Sequence, residues 1–227
     1  TLYEPNEIQL VLLEVNPISL KSLKNCISEL NADNYISGIY QGDGAKFKVP
    51  SASDIDIVII ECLQHALNHE PQAEITFNLI PQLREDVILI HEEINLHVSL
   101  SNSKLKAQNL EYLEGAEPLS FYKHYDPVFT LNKNEFLKRM IALNGDAINF
   151  PVIKMLFSKE DTEHYDEIAI ATEIKIFASE KLSMNESGLT IPKILGYFDD
   201  DNSIMGIKTQ YLANEDPQLK TEFIRES

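Results

Sequence analysis

Apolar and polar positions alternate along residues 1–100 in a way that predicts a mixed sheet with one or two covering helices. Short apolar runs bounded by turn-forming residues predict strands at residues 7–14, 35–40, 45–49, 54–62, 74–79 and 86–100. The second and third of these would form a hairpin around Gly42-Asp43-Gly44. After Ser19 the spacing becomes helical. The apolar face of this helix would comprise Leu20, Leu23, Cys26, Ile27 and Leu30.

The second half of the chain has a different pattern. It predicts strands at residues 150–157, 191–198 and 204–212, and a helix over residues 163–181. The apolar face of that helix would comprise Ile168, Ala171, Ile174 and Ala178. The pattern weakens over residues 101–127, where Gly and Pro punctuate polar segments. We therefore expect an α/β or α+β protein with a mixed domain at 1–100, a linker at 101–127 and a second domain at 128–227.

Composition narrows the classes of function. The 227 residues carry 36 Asp and Glu against 19 Lys and Arg, so the formal net charge is −17. Nucleic-acid binding needs a basic stripe, which this acidic chain lacks, and no apolar run is long enough to span a membrane. Two cysteines are too few for a disulfide scaffold or a cysteine-based zinc site. These features predict a cytoplasmic protein with free thiols that binds neither nucleic acid nor membrane.

The most specific motif lies in the second half. Val152-Ile153-Lys154-Met155-Leu156 is followed nineteen positions after its lysine by Glu173, on the predicted helix. This strand resembles the V-A-I-K strand of protein kinases. The strands at 191–198 and 204–212 follow in the order of the kinase small lobe, and the resemblance covers about residues 134–212. It implies that the second half is a kinase-like small lobe, an antiparallel sheet with one helix.

The kinase-like resemblance also implies a ligand. Lys154 would contact the phosphates of ATP, Glu173 would orient Lys154, and Gln210-Tyr211-Leu212 would line the adenine. The phosphate-covering segment 142–149 has one glycine, and the residues after 212 contain neither H-R-D nor D-F-G. We therefore expect a nucleotide-binding fragment of a longer phosphotransferase, or a pseudoenzyme, and not an active kinase on its own.

A second motif suggests an alternative enzyme. Gly42-Asp43 is separated by ten residues from Asp54-Ile55-Asp56-Ile57. This spacing resembles the nucleotidyltransferase pattern of polymerase-beta-type enzymes. The resemblance implies that Asp54 and Asp56, with Glu74 or Asp86 as a third carboxylate, would bind Mg²⁺ on a nucleotide triphosphate.

Two further interpretations remain open from the sequence. Glu61, His65 and His69 recur every fourth residue, which stacks them on one face if the segment is helical. Such a face is polar surface more readily than a zinc site, because a third firm ligand is missing. The chain could also be a non-catalytic interaction module, with a protein partner or a second copy of itself bound to it.

Overall fold

The computed structural model describes residues 3–109, 121–135, 150–198, 203–213 and 217–226. They group into two compact units. The N-terminal unit comprises Thr1–Ile55 and Glu74–Glu85, and the C-terminal unit comprises Asp56–Ala73 and Asp86–Ser227. The predicted phosphate-covering segment 142–149 lies outside the described residues.

The N-terminal unit begins with a parallel strand–helix–strand arrangement. Strand β1 (Leu10–Glu14) leads through helix α1 (Pro17–Glu29) into β2 (Ile36–Gln41), which pairs with β1 in parallel. Helix α1 starts where it does because Asn16 caps it, accepting the Ile18 N–H at 2.8 Å, and Pro17 occupies its first turn. The helix predicted from the apolar spacing is therefore confirmed.

The predicted hairpin of residues 35–40 and 45–49 is wrong. Residues after Gly42 turn, and the Asp43 carboxylate accepts the Ala45 N–H at 2.9 Å. Residues 45–49 form no strand. The side chain of Asn78 donates to Gly44 O and Phe47 O at 2.8 Å each, so both carbonyls are bonded outside any sheet. Asn78 belongs to helix α2 (Gln72–Leu79), which replaces the strand predicted at 74–79.

The C-terminal unit contains three small sheets. Strands β3 (Ile57–Ile59) and β4 (Ile88–Ile90) form a parallel pair. The second sheet is antiparallel, in the order β10-β8-β5-β6 with β9 on β8, and comprises β5 (Glu93–Ser101), β6 (Tyr122–Asn132), β8 (Glu167–Phe177), β9 (Glu180–Leu182) and β10 (Lys193–Tyr197). The third, in the order β12-β11-β7, comprises β7 (Ile153–Leu156), β11 (Ile204–Leu212) and β12 (Gln218–Arg225). The helices of this unit include α3 (Ser103–Asn109) and α4 (Lys159–His164).

The core of the C-terminal unit lies on one face of the antiparallel sheet. Ile94 on β5 lies opposite Leu131 on β6 and Ile174 on β8, and Ile94 and Ile174 are almost wholly buried. Leu96, Val98 and Leu100 are fully buried as well. Alternation of this kind was the sequence signal for the strand, and the structure confirms it for β5.

The helix predicted over residues 163–181 is wrong. Apart from the last residues of α4, the described chain there consists mainly of strand β8, which hydrogen-bonds to β5 on one side and β10 on the other, and of the start of β9. Ile168, Ala171, Ile174 and Ala178 follow a helical spacing of three and four residues, but Ile168, Ile170 and Ile174 also follow a period of two. The β-branched residues of this segment, with partners on both sides, favour the strand. The helix required by a kinase-like small lobe is therefore absent from the described residues.

The described residues form a mixed α/β fold, as the sequence indicated. In the predicted linker, residues 103–109 form α3 and residues 122–127 begin β6. The domain boundaries at 100 and 128 stay a prediction. Within the described ranges, no helix combines the length and apolarity needed to cross a bilayer.

Candidate functional site

The structure separates the two residues at the centre of the kinase-like interpretation. Lys154 is exposed on β7, opposite Lys208 of β11. Glu173 lies on β8 in a different sheet, opposite Asn95. In the described part of the chain no ion pair joins Lys154 to Glu173. Lys154 therefore lacks the ion pair with Glu173 that would hold its ammonium in position to bind phosphate.

The residues predicted to line the adenine have structural roles instead. Tyr211 is 2% exposed, and its ring stacks on Phe129 with 4.0 Å between the centroids. Gln210 donates its side-chain N–H to Phe150 O at 2.9 Å. Together with Leu212 they form the end of the continuous strand β11, paired along its length with β12. They form no hinge.

The carboxylates of the nucleotidyltransferase alternative do not lie on a strand. Asp54 ends a 3-10 turn, Asp56 precedes β3, and Glu74 is in the first turn of α2. Two carboxylates project from one strand face only when both belong to the strand, so the geometry needed for Mg²⁺ is not formed. Over the described residues, no group of three or more His, Cys, Asp and Glu could hold a metal ion.

A first candidate site lies where β1 and β2 end. Glu14 and Gln41 are the last residues of these parallel strands and face each other in register. The Gly42 N–H donates to Glu14 O at 3.1 Å, and the Asn16 N–H donates to a Glu14 carboxylate oxygen at 2.7 Å. We call Glu14, Gln41, Gly42 and Asp43 the β1–β2 edge. Ligands of open parallel sheets bind at such carboxyl ends.

The β1–β2 edge suits hydroxyl and amine donors better than phosphate. The turn from β1 into α1 contains no glycine, and Pro17 removes one N–H from the first turn of α1. The Asn16 side chain already accepts from Ile18 N and Ser19 N. A phosphate would therefore find no free backbone cradle there, whereas Glu14 and Asp43 supply acceptors.

A second candidate site is the loop that follows β3, residues 61–71. Three non-glycine residues in it have left-handed backbone angles: Ala66 at φ 57, Leu67 at φ 51 and His69 at φ 62. Each such residue costs free energy, and it persists only where surrounding contacts hold it. The Ala66 N–H donates to Thr172 Oγ1 at 3.1 Å, and the His69 N–H donates to Pro217 O at 2.8 Å. The structure thus holds this loop in one strained shape.

The 61–71 loop presents two carboxylates. Glu61 is exposed and Glu70 is half-buried, with the Gln64 amide 3.4 Å from a Glu70 carboxylate oxygen. His91 follows the adjacent strand β4, and burial lowers the pKa of His91 while the negative charge of Glu61 opposes that shift. Each of these carboxylates can accept hydrogen bonds from a cationic group.

The sequence indicated Glu61, His65 and His69 as a group, but it did not predict the backbone conformation of this loop. Residues 65–67 form a 3-10 turn interrupted by the left-handed Ala66, so the segment is not the helix that a spacing of four assumes. The sequence does not indicate the left-handed angles at positions 66 and 67, because Ala and Leu are not residues that favour them.

Comparison with known proteins identifies the fold. No family model and no curated protein sequence matches the chain. A crystal structure of PRMT6 with SAH has a TM-score of 0.57 at 10% identity, over 94% of this chain and 84% of that chain. A second PRMT6 structure has a TM-score of 0.57 at 10% identity, over 93% and 83%. The Trypanosoma brucei PRMT1 enzyme–prozyme heterotetrameric complex with AdoHcy has a TM-score of 0.52 at 11% identity, over 98% and 86%.

These neighbours are protein arginine methyltransferase chains, and two of them carry SAH or AdoHcy. They overturn the kinase-like and polymerase-beta-type resemblances, and with them the expectations of ATP and Mg²⁺. The expectations of a pseudoenzyme related to kinases and of a non-catalytic interaction module are likewise unsupported. The chain has the fold of these methyltransferase chains.

Proposed function

We propose that this protein is a methyltransferase. In the N-terminal unit, the β1–β2 edge would bind an S-adenosyl ligand, and in the C-terminal unit, the 61–71 loop would bind a cationic acceptor. The observation that carries the proposal is the fold similarity, over 94% of the chain, to a methyltransferase structure with SAH.

The β1–β2 edge would hold the adenosine part of the ligand. In open α/β sheets, a carboxylate beyond the end of a strand accepts hydrogen bonds from ribose hydroxyls. Glu14 has this position, and the Asn16 N–H fixes one of its oxygens at 2.7 Å. The Asp43 carboxylate lies just beyond β2 and adds an acceptor suited to an amine donor. When bound, S-adenosylmethionine supplies an electrophilic methyl group.

The 61–71 loop would hold the acceptor. The neighbours are named as arginine methyltransferases, and a guanidinium pairs well with carboxylates such as Glu61 and Glu70. Methylation of a nitrogen releases one proton, which the exposed Glu61 carboxylate can accept. The strained backbone at His69, whose N–H donates to Pro217 O, would keep the adjoining Glu70 in place.

A protein partner belongs to this proposal, whereas a bound nucleotide does not. The Trypanosoma brucei neighbour is a heterotetramer of an enzyme and a prozyme. Light scattering after size-exclusion chromatography would give a mass above the 25.8 kDa of one chain if this protein also assembles with itself.

Calorimetry with SAH tests ligand binding. We expect SAH to bind, ATP to give no heat, and Glu14→Gln to weaken SAH binding by about tenfold or more, because a charge-assisted hydrogen bond is lost. The matched control is Glu29→Gln, an exposed acid at the end of α1, which should bind as the wild type does. Equal SAH affinity in Glu14→Gln and Glu29→Gln would rule out the β1–β2 edge.

A second assay separates methyl transfer from ligand binding. With radiolabelled S-adenosylmethionine and an arginine-rich peptide, Glu61→Gln should lose most transfer while keeping its affinity for SAH. Unchanged transfer would exclude Glu61 as the proton acceptor, even where SAH binding by the β1–β2 edge is intact.

A further inference from the structure

The C-terminal unit contains a cavity that the proposed methyltransferase chemistry does not use. Its volume is about 410 Å³, within the range of small-molecule sites. Strands β5 and β6 form one wall, and residues 150–153 form another. The polar groups of the lining come from Glu93, Asn95, Thr130, Asn132 and Glu135, and apolar carbon comes from Pro127, Pro151 and Ile153 among others.

The carboxylate of Glu93 is fixed in this cavity by two amides. Asn95 Nδ2 donates to one of its oxygens and Asn132 Nδ2 to the other, each at 2.7 Å. The amides are oriented in turn, because Thr130 Oγ1 donates to Asn95 Oδ1 at 2.6 Å and the Glu135 N–H donates to Asn132 Oδ1 at 2.7 Å. The carboxylate therefore has one defined direction in the cavity.

Among the described residues of the lining, none is a cationic partner for Glu93. The register places Lys175 of β8 opposite Glu93, but its ammonium bonds to Glu92 at 2.7 Å instead. Among the residues described around the cavity there is no Lys, Arg or His. Glu93 is half-buried, and two neutral amides compensate a carboxylate less well than a cation does.

We propose that this cavity binds a small organic cation, with an alkylammonium or guanidinium head on Glu93 and a short hydrocarbon stem against Pro127, Pro151 and Ile153. A carboxylate has about four lone-pair positions, and the two amides occupy two of them. The head group would take the positions that remain. A neutral alcohol lacks the charge, and an anion of the same size is repelled.

Nuclear magnetic resonance tests the site in the intact chain. The side-chain amides of Asn95 and Asn132 are direct reporters, since both donate to Glu93. Titration with n-butylammonium or n-butylguanidinium should shift both amide signals saturably. Equal concentrations of n-butanol or butyrate should leave them unmoved. Amides that do not respond to either cation, or respond equally to n-butanol, would overturn the proposal.

A charge-removing variant sharpens the test. Glu93→Gln should weaken cation binding by about tenfold or more, whereas Glu180→Gln, at an exposed position on β9, should bind as the wild type does. Unchanged affinity in a folded Glu93→Gln protein would exclude Glu93 as the recognition group. If Glu93→Gln does not fold, the four-probe titration of the wild type decides. Binding of SAH at the β1–β2 edge plays no part in either result.

Discussion

The parallel pair β1–β2 of the N-terminal unit and the antiparallel sheet of the C-terminal unit bury their apolar residues very differently. Leu10 and Val11 of β1 remain 41% and 39% exposed, although strands of parallel sheets are usually covered on both faces. Leu96 and Ile174 of the antiparallel sheet are fully buried. The β1–β2 pair therefore offers polar groups at its strand ends while its apolar side chains stay partly exposed. The antiparallel sheet instead supplies the buried core.

The largest loss of stability should come from truncating a buried side chain of the antiparallel sheet. Ile174→Ala should lower the free energy of unfolding by about 3 kcal/mol, because it removes a fully buried side chain and leaves a cavity. Leu10→Ala should cost less than about 1 kcal/mol, since Leu10 is already partly exposed. Urea unfolding followed by circular dichroism measures both. Equal losses of unfolding free energy in the two variants would contradict this difference in burial.

The two units also differ in how a buried carboxyl group is hydrogen-bonded. In the C-terminal unit, Asp161 is 3% exposed and fully partnered: it accepts from Lys123 Nζ at 2.5 Å, Tyr125 Oη at 2.7 Å and Ser158 N at 2.9 Å. In the N-terminal unit, both carboxylate oxygens of Glu74 are buried without a hydrogen-bond partner in the described structure. The two groups should respond to pH in opposite directions.

Asp161→Asn should be the next most damaging change. The Asp161 carboxylate completes the capping box at the start of α4 and forms an ion pair with Lys123 of β6. The free energy of unfolding should therefore fall by about 2 kcal/mol. Asp126→Asn, at an exposed position on β6, is the matched control and should be nearly neutral. A loss as small as that of the control would show that the network adds little to stability.

The pH dependence of this loss has a definite sign. Burial alone would raise the pKa of Asp161, but hydrogen bonds from Lys123, Ser158 and Tyr125 hold it well below its usual value. Its contribution is therefore complete above the ordinary aspartate pKa of about 4 and disappears as the pH falls toward the depressed value. The difference in unfolding free energy between the wild type and Asp161→Asn should shrink in acid.

Glu74→Gln should have the smallest effect and the opposite sign. Burial raises the pKa of Glu74 to about 7, outweighing the contribution of its own backbone N–H. The folded state therefore binds the proton more tightly, and stability should fall as pH rises from the normal glutamate pKa toward 7. Glu74→Gln should remove this dependence and raise the melting temperature at pH 8 by a few degrees. Glu29→Gln, at the exposed end of α1, should retain it. A wild-type melting temperature that stays flat between pH 5 and 8 would contradict the burial of an unpartnered carboxyl.

Sequence reasoning succeeded where local pattern and tertiary environment agree. Alternation at Ile94, Leu96, Val98 and Leu100 located β5, and the apolar run at 204–212 located β11 with its observed limits. It failed at β8, where the apolar residues fit a helical spacing through Ile168, Ala171 and Ile174 and a strand period through Ile168, Ile170 and Ile174. Pairing with β5 and β10 decides that case, and these partners are distant in sequence.

The candidate sites were harder to predict than the strands. The 61–71 loop is held by contacts to Thr172 and Pro217, which lie far along the chain. The β1–β2 edge depends on the parallel pairing of Glu14 with Gln41, whereas Gly42-Asp43-Gly44 suggested a hairpin. Motif resemblance at Lys154 was wrong because one short apolar strand with a lysine is compatible with many folds.

Whether the chain binds an S-adenosyl ligand is decided by a calorimetric titration of the whole chain with SAH. We expect saturable binding with one site per chain, weakened about tenfold or more by Glu14→Gln and unchanged by Glu29→Gln, with no heat from ATP. Absence of SAH binding to the folded wild-type protein, or binding that Glu14→Gln leaves intact, would contradict this expectation.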